Sequence, residues 1–277
     1  VEITGDVARY SGVDTNLLRV EDWGDNTIIN SLLYFLDDGN DTLQEVAPIL
    51  PQITSYQESF AGMQTNPVGF ENWDTSNVIN MRGMFRDTTD FDRDLSLWDT
   101  GNVESFRRMF AYAGSFNGNV GTWDTSSATN MRSMFGETDN FNQDLNGWTT
   151  SNVADMSYMF VANPVFNENV NNWDLSSLTH ARYMFSQADA FNQDISGWDV
   201  SNVEDFYHAF SGMDSFNAPI GNWDLSSVVN VGTMFHYSTA FDQDLSGWCI
   251  PNVPAEPRLF AAGTGPNYAP PPWGSCP

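Results

Sequence analysis

The chain has 277 residues, a formal net charge of −26, and ten basic residues that are all arginine. So large an acid excess argues against nucleic-acid binding and against adhesion to anionic lipid through a basic face. The 41% hydrophobic and 14% aromatic content exclude a disordered acidic chain, no run of 18 apolar residues occurs, and the start at Val1 suggests a processed or trimmed end.

Residues 1–50 follow the pattern of the rest only loosely, through Val20, Trp23, Ile28 and Phe35, and carry the acidic break Asp37 to Asp41. They are expected to form an N-terminal cap of degenerate coils, needed because an open stack of strands invites edge pairing. Asn40-Asp41-Thr42 is a glycosylation sequon in this segment.

Residues 51–248 obey a period of 25. The ten tryptophans Trp23, Trp73, Trp98, Trp123, Trp148, Trp173, Trp198, Trp223, Trp248 and Trp273 share one phase, and phenylalanine fills two further columns, Phe35 to Phe260 and Phe91 to Phe241. Met84, Met109, Met134, Met159, Met184 and Met234 form another. Units alternate between a form like Phe191 onward, FNQDISGWDVSNV, and a form like Phe166 onward, FNENVNNWDLSSL, which superimposes a weaker period of 50. Within a unit the spacing Ile195-x-x-Trp198-x-Val200-x-x-Val203 matches a leucine-rich-repeat frame and predicts a short parallel strand near Gly197 to Val200. Ser201 and Glu204 make a capping-box pattern that predicts a short helix, and Val203, Phe206, Ala209 and Phe210 give it one apolar face. The expected fold is an α/β repeat solenoid, a leucine-rich-repeat-like right-handed stack of coils, each a short parallel strand plus a short helix, with terminal caps. About eleven coils at roughly 4.8 Å would give a rod on the order of 50 Å long.

Residues 249–277 lose the pattern to Pro251, Pro254, Pro257 and Pro270 to Pro272, which end the stack because proline cannot donate to a ladder. Cys249 and Cys276 lie 27 residues apart, close to one coil, and are expected to staple this cap with a disulfide in an oxidising compartment; two buried free thiols are the alternative.

The units resemble the 25- to 26-residue repeats of BspA-like leucine-rich-repeat surface proteins, with a pattern near FNQDLSxWDVSxVxxMxxMFxxA over about residues 51–260. The resemblance implies a secreted or cell-surface protein of adhesion and interaction, and brings no catalytic motif with it.

Several polar columns raise chemistry. Asp74, Asp99, Asp124, Asp174, Asp199 and Asp224 follow the tryptophans. Capping of the following turn is their first reading, and pairwise capture of Ca²⁺, the one cofactor the sequence raises, is the second. Asp94, Asn119, Asp144, Asn169, Asp194 and Asp244, and likewise Asp92, Asn117, Asn142, Asn167, Asn192, Asn217 and Asp242, read as hydrogen-bonding ladders. Arg82, Arg107, Arg132 and Arg182 share a column beside acids such as Asp155 and Asp205, which suggests surface ion pairs. His180, His208 and His236 climb diagonally and are too spread for one metal. Thr75, Thr100, Thr125 and Thr150 give way to Leu175, Val200, Leu225 and Ile250, so that rank faces the core. With no nucleophile elbow or phosphate loop, the expectation is an extracellular, non-catalytic protein presenting an acidic surface to a protein or glycan. The runner-up is a self-assembling component of an extracellular filament or surface layer, dependent on calcium in one form.

Overall fold

The computed structural model describes residues 53–277 and, before them, one parallel strand pair, β1 (Arg19–Val20) and β2 (Glu45–Val46), in the register Arg19 to Glu45 and Val20 to Val46. Apart from that pair, the expected cap over residues 1–50 lies outside the described residues, and so does the sequon at Asn40.

The period survives and the expected elements do not. Among the described residues the only helical element is a 3-10 turn at Phe70–Asn72, and coils meet through single parallel bridges one period apart, from Ser55–Asn80 to Asp205–Asn230. The α/β solenoid with a strand and a helix per coil is therefore corrected to a stack of coils built from turns. Gly197 to Val200, the expected strand, lies between two turns, closed by Trp198 N–H on the Ile195 carbonyl at 3.2 Å and Val203 N–H on the Val200 carbonyl at 3.0 Å. The expected capping box is absent as well: the N–H and Oγ of Ser201 donate to Asp199 Oδ1 at 3.1 and 2.6 Å.

The segment read as a helix carries the inter-coil ladder instead. In the coil around Phe206, the N–H groups of Phe206, His208, Phe210 and Gly212 donate to carbonyls of Asn230, Gly232, Met234 and His236 in the next coil, at 2.8 to 3.0 Å. The intervening N–H groups of Ala209 and Ser211 turn back on Phe206 and His208, three residues earlier. A helix would direct every N–H along its own axis and leave none for the neighbouring coil. Alternating the two directions satisfies both needs, as buried backbone requires.

That alternation demands left-handed backbone at two positions per coil. Glu58, Gly83, Arg108, Ser133, Tyr158, Tyr183, His208 and Thr233 form one rank with φ between 55° and 63°; four residues on, Gly62, Asp87, Tyr112, Glu137, Ala162, Gln187, Gly212 and Tyr237 form a second. Most hold side chains that disfavour this region by roughly 1–2 kcal/mol each, offset by the cross-coil hydrogen bonds that this backbone path makes.

The core is columnar. Trp73, Trp98 and Trp123 are parallel within 4° at 6.1 to 6.2 Å between ring centres, as are Trp173 and Trp198. Inside each coil the two phenylalanine columns lie face to face, 3.8 Å apart for Phe110–Phe116 and for Phe135–Phe141. The carbonyl before each turn accepts twice: Leu95, Val120, Leu145, Val170, Ile195 and Ile220 take the backbone N–H of the tryptophan three residues on and the indole N–H of the tryptophan 28 residues on. Thr75, Thr100, Thr125 and Thr150 are buried, as expected, and each hydroxyl donates to the carbonyl 24 residues ahead at 2.7 to 2.9 Å.

At the C-terminus the stack is closed. Cys249 and Cys276 form the expected disulfide, while Ile250 N–H donates to the Ser275 carbonyl and Leu245 N–H to that of Ala269. Trp273 keeps the tryptophan phase but packs edge-on against Phe260, at 90° and 4.9 Å, so parallel stacking stops there.

Candidate interaction surface

The aspartates after the tryptophans are exposed, and each caps its own turn. Asp74, Asp99, Asp124, Asp174, Asp199 and Asp224 all accept at Oδ1 from the backbone N–H two residues on, at 2.9 to 3.2 Å. The hydroxyls and then the backbone N–H groups of Ser76, Ser126, Ser176 and Ser201 hold the carboxyls of Asp74, Asp124, Asp174 and Asp199 below the ordinary carboxylate range. Among the described residues no three His, Cys, Asp or Glu side chains gather where a metal ion could sit. Each of the six calcium candidates is engaged by its own turn, and neighbouring members come near one another: a Cβ added at Gly101 would lie 3.5 Å from Asp99 Oδ1 and 3.2 Å from Asp124 Oδ2.

The two mixed columns separate. Asp94, Asn119, Asp144, Asn169, Asp194 and Asp244 were expected to link coils, but each accepts from the N–H two residues on, at 2.9 to 3.1 Å, within its own coil. The residue type suits a cap because Asp and Asn both present an Oδ1 at the same reach. The other column is a ladder between coils. The side-chain oxygens of Asp92, Asn117, Asn142, Asn167, Asn192 and Asn217 each accept the backbone N–H of the column member 25 residues on, at 2.8 to 2.9 Å. Gln143, Gln193 and Gln243, one in every second coil, reach back to the carbonyl and side chain of Asn117, Asn167 and Asn217. Asn102, Asn152, Asn202 and Asn252 follow the same 50-residue rule onto serine carbonyls 26 residues back. Gly118 stands in the alternate coil, where an added Cβ would come within 1.8 Å of the Arg93 carbonyl oxygen.

The left-handed ranks and their neighbours form a separate strip. Arg132 and Arg182 pair with Asp155 and Asp205 at 3.7 and 3.5 Å, as the column spacing suggested, whereas Arg82 pairs with Glu58 of a different column at 4.0 Å. The Arg132 guanidinium lies 4.9 Å over the Tyr158 ring, Tyr158 stacks on Tyr183 at 4.8 Å, and Tyr183 on His208 at 4.7 Å. Tyr158, Tyr183 and His208 share one phase of the period, but the column is otherwise filled by Glu, Gly, Arg, Ser and Thr, which hides the aromatic line among unlike residues. Of the histidines, His180 bonds Thr179 Oγ1 at 2.7 Å, and burial followed by the charges of His236 and Arg182 lowers the pKa of His208. Beside the second left-handed rank runs a shallow open groove of about 570 Å³, lined among others by Asp139, Asp189, Asp214 and Tyr237. Burial and then Asp214 raise the pKa of Asp189 there.

A family model described as "Mycoplasma protein of unknown function, DUF285" matches the chain twice in tandem, over residues 54–171 and 156–273. No curated protein and no solved structure matches it. Among the described residues no helix is long and apolar enough to cross a membrane.

Proposed function

The chain belongs to the DUF285 repeat family, and we propose that it is a non-catalytic interaction protein of the cell surface or extracellular space, presenting its acidic edge to a protein or glycan partner. The observation that carries this reading is the rank of exposed aspartates from Asp74 to Asp224, interrupted only at Thr149 and each fixed by the same turn. A surface so regular suits a partner that is itself extended. The resemblance to BspA-like surface repeats points the same way, and the Cys249–Cys276 disulfide suits an oxidising compartment. Protein and glycan arrays probed with the full chain, with and without calcium, test it. Retention of a partner that weakens when Asp174 and Asp199 become asparagine supports the reading, and an absence of retention on both arrays overturns it.

A second reading is a self-assembling component of an extracellular layer. The closed C-terminal end favours side-by-side packing over end-to-end growth in that case. Light scattering that stays monomeric across salt and calcium concentrations would exclude it.

A further inference from the structure

The strip beside the left-handed ranks concentrates cations in a chain that is otherwise strongly acidic: Arg82, Arg86, Arg107, Arg108, Arg132 and Arg182 all lie on it. Arg82, Arg107 and Arg132 occupy equivalent positions in three consecutive coils, fixed by ladder bonds such as Gly83 N–H to the Arg107 carbonyl and Arg108 N–H to the Arg132 carbonyl, both 2.8 Å. Their surroundings are unequal. Arg132 and Arg182 find Asp155 and Asp205 23 residues on, whereas the matching position for Arg107 carries the neutral Asn130. Arg108 adds a further cation next to it. Burial and then the charges of Arg82, Arg108 and Arg132 depress the pKa of Arg107, with Asp155 the opposing influence. The acids bordering the patch are Glu58, Asp87, Glu137 and Asp155, of which Asp87 pairs with Arg86 at 3.2 Å, against the five guanidiniums of Arg82, Arg86, Arg107, Arg108 and Arg132. Crowded like charges on a folded surface are unfavourable unless an anion meets them.

The strip continues as the line Arg132, Tyr158, Tyr183, His208, whose steps of 4.9, 4.8 and 4.7 Å repeat one coil spacing. Guanidiniums offer paired donors in a planar fork suited to carboxylate and sulfate, and the half-exposed rings offer apolar edges at the same interval. We propose that this strip, with Arg107 and Arg108 at its centre, binds a linear anionic polysaccharide bearing carboxylate or sulfate groups. The equal spacing selects a ligand whose charges and rings recur at short, equal intervals along one direction. A folded protein's charges do not recur in that way, and an acidic peptide has no ring faces to lay along the tyrosines. This strip is distinct from the aspartate edge, so the proposal stands whether or not that edge has a partner.

Affinity electrophoresis of the full chain at low salt through gels containing dextran sulfate, polygalacturonate, neutral dextran or polyglutamate tests it. Retardation is expected in one or both charged glycans and not in neutral dextran, and it should fade as salt screens the contacts. Arg107→Ser with Arg108→Ser places in these columns a residue they already hold at Ser157 and Ser133. That pair should weaken retention about tenfold or more, while Arg93→Gln, away from both columns, leaves it unchanged. If the double variant melts early, Arg107→Gln, which keeps the length of the side chain, is read in its place. The proposal is overturned by no retardation in either charged glycan, by retention that the arginine variants do not change, or by equal retention in polyglutamate, which would assign the strip to acidic peptide. Asp174→Asn with Asp199→Asn serves as the independent arm: it weakens binding through the acidic edge and leaves retention in the glycan gels intact.

Discussion

The Val120 carbonyl accepts the indole N–H of Trp148 at 3.0 Å, across one coil boundary, while also closing the turn to Trp123 N–H at 3.2 Å. One oxygen thereby holds a turn and joins two coils. Trp148→Phe keeps an aromatic ring in the column but removes that donor and part of the ring volume. It should destabilise the chain by about 1–3 kcal/mol, seen as a lower denaturation midpoint with the slope unchanged. A change within error would mean that the indole bond contributes nothing net.

The asparagine ladder makes a sharper prediction, because the column itself contains the control. Asn167→Ala leaves the Asn192 N–H without its acceptor and should cost about 1–2 kcal/mol. Asn167→Asp keeps the acceptor, as Asp92 does one rung below Asn117, and should cost less than half as much at neutral pH. Equal losses in chemical denaturation would show that the amide's donors, rather than its oxygen, hold the rung.

Which parts of this architecture were readable from residues divides along the side-chain/backbone line. The period, the buried columns and the Asx turns follow from side chains repeating on one phase, and a side chain shows in the sequence. The path of the backbone does not. Val203, Phe206, Ala209 and Phe210 match a helical face, yet two successive turns place the same residues inward. The sign that would have excluded a helix is the pair of left-handed ranks, and glycine marks them only at Gly62, Gly83 and Gly212. Arg, Tyr, Gln and Glu elsewhere in those ranks hide the conformation. The two Asp/Asn columns illustrate the same limit, since identical residue types serve one as caps and the other as a ladder, depending on where the next coil's N–H lies.

Left-handed positions held by β-branched residues should carry removable strain. Thr233, at φ 55°, is the case in the first rank, and Thr233→Gly should stabilise the chain by up to about 1 kcal/mol despite glycine's greater freedom when unfolded. The reverse change, Gly83→Ala, adds a Cβ at φ 60° that would lie 3.0 Å from Glu58 Cγ, and should lower the melting temperature.

Acid stability follows from the caps. Asp74, Asp124, Asp174, Asp194, Asp199 and Asp244 have carboxyl pKa values lowered by serine hydroxyl and backbone donors. A depressed folded pKa stabilises fully above the unfolded carboxylate value, near 4, and that stabilisation is lost as pH falls through the folded value. Melting temperatures should therefore fall below about pH 4. Asp174→Asn with Asp199→Asn keeps an Oδ1 for the turn but does not titrate, so the fall should be shallower. A steeper fall would contradict the assignment.

Reduction of Cys249–Cys276 should act locally. In a stack whose coils touch only their neighbours, loss of the staple loosens the end first. A separate, earlier unfolding phase near Trp273 and Phe260 is expected under reducing conditions, with about 2–4 kcal/mol lost from the cap. Fluorescence and hydrogen exchange read this directly, and protection that falls evenly along the whole chain would refute it.

The long side chains that reach backwards, Gln143, Gln193 and Gln243 with Asn102, Asn152, Asn202 and Asn252, recur in every second coil. The module that can be copied without disturbing its junctions is accordingly a pair of coils. Duplicating or losing one pair would change the molecule's reach by roughly 10 Å and keep the alternation of these backward-reaching side chains in step, so this design can be lengthened or shortened in evolution like a ruler cut at its own graduations.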